Sequence, residues 1–140
     1  RLVHDHARTL LVLRTRRNQV LGGFADMPWK VDAGGASYYG GPDACLFKVV
    51  GSGDTENAMN IVKAFKWSGA NRYIQLCDQA HKMLAFGGGG DNGAFGLALE
   101  QDFLLGSTGP CETFCNEPLC DQDTFEIVDL EIYGFLIGQF

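Results

Sequence analysis

The sequence predicts a mainly β fold of the sandwich type, and three observations predict it. Glycine supplies 19 of 140 residues, about twice the usual share of ~7%, with no G-X-Y period that would indicate collagen. The apolar residues fall in short runs rather than long amphipathic stripes. Turn signals separate those runs roughly every ten residues, which gives about eight short strands. No repeat in the ~20–50-residue range is visible, so a solenoid or propeller is not expected.

Taken in order, Arg1–Ala7 reads as the tail of a helix begun earlier. Thr9–Arg14 and Gln19–Ala25 are apolar strands, and TRRN between them is a polar hairpin break. Asp26-Met27-Pro28 ends the second strand, because proline cannot donate to a ladder, and Trp29-Lys30-Val31 resumes extended structure. Asp32–Asp43 is a glycine-rich loop, Cys45–Val50 a third strand, and Gly51–Asn60 a polar, acidic surface loop. Ile61–Trp67 and Arg72–Cys77 are joined by SGAN, where glycine and asparagine make positive φ cheap. Lys82–Phe86 and Phe95–Glu100 flank a glycine loop and form a hairpin, while Asp102–Leu105 is a strand or one helical turn. In Phe125–Phe135, alternation puts Phe125, Ile127, Asp129, Glu131 and Tyr133 on one face and Glu126, Val128, Leu130 and Ile132 on the other, and apolar residues on both faces read as an interior strand. Trp67, Phe86, Phe95, Phe114 and Leu130 are the expected core. Trp29 and Trp67 are expected to anchor it, each with its indole N–H bonded.

The chain is long enough for one domain that buries roughly 68–70% of its unfolded surface, with 46% apolar and 20% charged residues. It begins at Arg1 rather than Met, so a fragment of a longer protein is expected. Net charge is −6 and pI about 4.9, which opposes nucleic-acid binding. The one basic cluster, Arg14, Arg16 and Arg17 with Arg8 nearby, reads as a solvated hairpin, and the overall charge suits a basic protein partner better. No apolar run approaches a ~20-residue membrane span, and no signal peptide is visible. Five cysteines in irregular spacing make a poor disulfide framework, which points to reduced thiols in a cytosolic or nuclear compartment, and an intracellular, cytoplasmic protein is expected.

Each chemical motif has a plainer reading beside it. Gly87–Gly93 resembles a phosphate loop, but no Lys or helix start follows, and Asp91 repels phosphate; a wide glycine turn suffices. Cys111, Cys115 and Cys120 lack the paired spacing and nearby His of a zinc site, so no metal or cofactor is expected. Cys111 and Glu112 with His81 supply the residue types for nucleophilic catalysis, without a protease signature around Cys111. Paired acids are the remaining candidates: Glu100 with Asp102, Glu112, and Asp129 with Glu131, two residues apart on one strand face. Within so apolar a strand, Asp129 and Glu131 are expected to accept hydrogen bonds from turn N–H groups or from Thr113.

Several phrases together resemble the TLDc domain family, shared by oxidation-resistance proteins, nuclear receptor coactivator 7-type proteins and several TBC-domain proteins. GGFADMPWKV (Gly22–Val31) resembles the family's GAFxSxPWK, and FKWSGAN (Phe65–Asn71) its YxWTGxN. Leu84–Asp102 resembles LAFGGGxGxFGLWLDEDL, PCETFCNEPL (Pro110–Leu119) resembles PCETFxNxPL, and Phe125–Phe135 resembles FxIxDLEVWGF. Ala98 and Tyr133 stand where the family carries Trp. The resemblance runs from about Thr9 to Phe135 and implies a single domain, residues 1–140, that lacks the family's usual N-terminal segment. It implies a two-sheet antiparallel β-sandwich with a few short helices. It further implies a non-catalytic protein-interaction module, linked to protection against oxidative stress and to binding and regulation of the vacuolar proton-pumping ATPase (V-ATPase).

Two rival functions are an enzyme of unknown reaction, using Glu112, Asp129 or Glu131 as acid and base, and a structural brick in a large assembly. On the interaction reading, Asp54 and Glu56 of the acidic loop, with Asn71 and Glu112, are the candidate partner-binding residues.

Overall fold

The computed structural model describes residues 8–29, 38–51, 60–78, 82–89, 94–100 and 102–135. Nine strands follow in sequence: β1 (Arg8–Thr15), β2 (Val20–Ala25), β3 (Cys45–Gly51), β4 (Asn60–Lys66), β5 (Gln75–Asp78), β6 (Met83–Phe86), β7 (Leu97–Glu100), β8 (Leu105–Thr108) and β9 (Thr124–Phe135). They join in the order β4-β3-β2-β1-β9-β8-β7-β6-β5, and every pairing is antiparallel.

The fold is mainly β, as its glycine turns and short apolar runs predict, with no helix among the described residues. The helix tail expected at Arg1–Ala7 lies outside them. The two expected sheets are one continuous ladder, because β9 is long enough to serve both halves. Its Thr124–Glu126 end pairs with β8, and its remainder pairs with β1 up to Phe135.

The two wings meet across a common core. On β1, Thr9, Leu11, Leu13 and Thr15 are all buried, the period of two that one buried sheet face dictates. Phe86 of β6 lies so close to β2 that a Cβ on Gly23 would come within 2.9 Å of its ring. Trp29 meets Phe86 edge-on, with centroids 5.3 Å apart, and its indole N–H donates to Thr9 Oγ1 at 2.8 Å. That bond explains a threonine among the core positions of β1. Phe86 and Phe114 are buried as expected, while Trp67, Phe95 and Leu130 are only half-buried.

β9 departs from simple alternation. Arg14 pairs with Asp129 but Thr15 pairs with Ile127, which leaves Val128 as an extra residue. This bulge shifts the side-chain phase by one. Phe125 and Ile127 point inward before it, Leu130 and Ile132 after it, while Val128, Asp129, Glu131 and Tyr133 are exposed. The uniform alternation expected for this strand is therefore corrected: Asp129 and Glu131 do not share the face of Phe125. The SGAN segment also joins strands that do not pair, since β4 and β5 form opposite ends of the sheet. Asp102–Leu104 is a turn that leads into β8, a strand the sequence reading recognised only at its first residue.

Candidate functional site

Three of the family-like phrases, Phe65–Asn71, the described part of Leu84–Asp102 and Pro110–Leu119, converge on one loop cluster beside the β6–β7 connection. Thr113, fully buried, is its centre. The Thr113 hydroxyl donates to Asn71 Oδ1 at 2.7 Å and accepts from the Gly88 N–H at 3.0 Å. Asn71 Oδ1 also accepts from the Tyr73 N–H at 3.0 Å, and the Asn71 carbonyl takes the Trp67 indole N–H at 2.7 Å. The Ser68 hydroxyl donates to the Glu112 carbonyl at 2.7 Å, and the Ser68 N–H to the Thr113 carbonyl at 2.8 Å. Loops outside the ladder must satisfy their buried polar groups locally, and short polar side chains at these positions do so.

Glycine is required where the loops touch. Gly87 has φ +79°, and a Cβ there would stand 2.6 Å from Cys111 Sγ. Gly89 has φ +77°, and its Cβ would lie 2.8 Å from Asn71 Nδ2 and 3.0 Å from Glu112 Oε1. Both are conformations that side chains rarely adopt. The glycines thus let the phrases close on one another, and the described part of the loop leads between two strands rather than into a helix. Gly90–Gly93, with Asp91, lie outside the described residues.

The PCETFCNEPL loop is stitched the same way. Cys111 Sγ lies 3.0 Å from Asn116 Oδ1, and Asn116 Nδ2 donates to the Gly109 and Glu117 carbonyls at 3.0 and 2.9 Å. Burial pushes the Cys111 thiol above its usual range, against the pull of backbone N–H groups from Phe114, Thr113 and Gly88. A thiol held protonated is a weak nucleophile. At the exposed end of the loop, Glu117 bonds to Lys48 and Lys63, which hold its carboxyl below the usual range.

The structure sorts the sequence candidates. It brings Asn71 and Glu112 together across Gly89, with Asn71 half-buried in the network and Glu112 exposed at its rim. It does not place Asp129 and Glu131 in an apolar interior: Asp129 pairs with Arg14 and Glu131 accepts from the Tyr133 hydroxyl, all at the surface. The bond expected from Thr113 to these acids goes to Asn71 instead. The shallow groove beside the two acids has Val12, Leu13, Arg14, Val20 and Leu130 as its other walls, and Glu112 is not among them. Asp54, Glu56 and His81 lie outside the described residues. All five cysteines are free. Among the described residues no three His, Cys, Asp or Glu side chains cluster to hold a metal ion, and no helix is long and apolar enough to cross a membrane. Sequence reasoning missed Thr113 as the centre, together with Ser68 and Asn116. Ser68, between Trp67 and Gly69, and Thr113, before Phe114, carried the signal of a short polar residue beside an aromatic one, and Asn116 carried no such signal.

Comparison with known proteins adds family evidence to this geometry. A family model described as the TLDc domain matches residues 1–136. The chain is 36% identical over 131 residues to oxidation resistance protein 1 of Yarrowia lipolytica, covering 92% of this chain and 51% of that protein. It is 35% identical over 126 residues to nuclear receptor coactivator 7 of Homo sapiens, covering 90% of this chain and 12% of that protein. The figures for oxidation resistance protein 1 of Bos taurus are 35% over 126 residues, 90% and 13%. The chain thus spans about half of the Yarrowia protein and a small part of the other two.

Proposed function

The chain belongs to the TLDc domain family, and from that premise we propose that it is a non-catalytic protein-interaction module acting in protection against oxidative stress. Its parent docks through it on a multi-subunit assembly, with subunits of the V-ATPase as the leading partner. The observation that carries this reading is the self-contained loop cluster. Thr113, Asn71, Ser68 and Asn116 spend their hydrogen bonds on one another and on loop backbone, which suits a rigid scaffold that presents a rim rather than a reaction centre. The relatives' names, oxidation resistance and receptor coactivation, point the same way.

The test is a binding titration of the purified parent against isolated V-ATPase subunits, at low and moderate salt. Saturable binding that weakens with Glu112→Lys supports the reading. No binding to any subunit overturns the choice of partner.

A further inference from the structure

We propose that the outer edge of β4 is a docking strand for an extended acidic segment of a partner protein, which pairs with it as an added antiparallel strand. This rests on the interaction-module reading and names the surface that module uses.

The two ends of the sheet differ. At the β5 end, Tyr39 bridges Gln75, with N–H to carbonyl bonds of 3.0 and 2.8 Å in both directions, so that edge is partly capped. At the β4 end, β3 pairs with one side of the strand from Asn60 to Lys66. Among the described residues no strand pairs with the other side. An edge of this length leaves a row of backbone N–H and carbonyl groups available for a further strand. β4 is exposed on both faces along most of its length, with Phe65 half-buried against the core. Ile61 and Val62, which point to opposite faces, are 57% and 63% exposed, and Val50, opposite Ile61 on β3, is 41% exposed. β-Branched residues exposed on both faces give an incoming strand apolar flanks as well as a hydrogen-bonding edge.

Charge selects the occupant. The domain carries −6 overall, yet β4 carries Lys63 and Lys66 and no acid. Lys48 lies on β3 opposite Lys63, and Arg72 sits over the Trp67 ring at 5.4 Å. Glu117, bonded to both Lys48 and Lys63, is the acid paired within this patch. A second copy of this chain fits poorly. An antiparallel pair centred on Lys63 would place that lysine opposite its own copy, and like charges directly opposite are destabilising. An acidic strand with carboxylates three residues apart instead meets Lys63 on one face and Lys66 on the other. Lysines on an edge also discourage promiscuous pairing, so this edge favours an acidic partner over a neutral one.

The probe is an acetylated, amidated heptapeptide of valine, threonine and glutamate with its glutamates three residues apart. The control has lysine for every glutamate. Binding to the purified chain is followed by NMR and fluorescence anisotropy. Saturable binding of the acidic peptide is expected, with new amide protection at alternate residues of β4. Lys63→Glu with Lys66→Glu should weaken it by at least about tenfold with the circular dichroism spectrum unchanged. Lys66→Glu alone, which leaves the Glu117 bridges in place, should weaken it in the same direction. N-methylation of the peptide at one alternating set of residues should abolish binding, and at the other set leave it intact. The proposal is overturned by equal binding of the lysine peptide, by equal effects of the two methylation patterns, or by self-association through β4. Binding to phosphatidylserine vesicles in place of the peptide also overturns it. If V-ATPase subunits bind the parent but the lysine reversals leave that binding unchanged, the edge proposal fails while the interaction-module reading stands.

Discussion

Thr113 shows how much a single hydroxyl can organise. It accepts from the Gly88 N–H and donates to Asn71 Oδ1, so Thr113→Val leaves the buried Gly88 N–H without this acceptor and takes one donor from Asn71 Oδ1, which keeps the Tyr73 N–H. Unsatisfied buried groups cost about 1–3 kcal/mol each, and urea unfolding should register a loss of at least that size. A loss below about 0.5 kcal/mol would remove Thr113 from the centre of the cluster. Tyr38 offers a pH readout of the same region. Its hydroxyl donates to the Gly87 carbonyl at 3.2 Å and its ring packs 5.0 Å from Tyr73. Burial first, then the neighbouring Cys111 and Tyr73, push its pKa from 10.0 up to about 12. A folded pKa above the unfolded one means the stabilisation is complete below pH ~10 and is lost as pH rises towards ~12. Stability measured across that window should fall less steeply in Tyr38→Phe than in the parent chain; an identical slope would contradict the assignment.

At the scale of elements, β9 is the instructive case. Its apolar content identifies it as an interior strand, and it does pair on both sides. Its bulge is not legible, because a single extra residue leaves composition and approximate alternation intact. That one residue reverses the placement of Asp129 and Glu131, from half-buried acids in need of partners to surface acids paired with Arg14 and Tyr133. Deleting Val128 should restore a uniform phase, force those acids or the Phe125 set to the wrong face, and abolish cooperative unfolding. Val128→Thr, which keeps the bulge, should change stability by about 0.5 kcal/mol or less. A deletion variant that unfolds like the parent chain would show that the bulge does not set the register. The hairpins were easier to read: TRRN, and the glycine loop between β6 and β7, carry residues whose turn chemistry is explicit. The joining of all strands into one sheet was not, since it depends on how far β9 extends past β1 rather than on any local signal.

For the whole molecule, three of the phrases that resemble the family are brought together by the fold around Thr113. They are legible as a set because glycine and small polar residues in fixed order answer to close loop contacts. They are not legible as a site, because their hydrogen bonds link segments far apart in sequence. On the proposed account the cluster is a scaffold, and Glu112 at its rim serves contact, not chemistry. The most direct measurement is a hydrolase and peroxide-turnover screen on the purified chain and on Glu112→Gln, run beside the V-ATPase subunit binding assay. The account predicts no turnover from either protein and a change confined to binding or to stability. Turnover that Glu112→Gln abolishes while binding stays intact would contradict it and make this rim a catalytic centre.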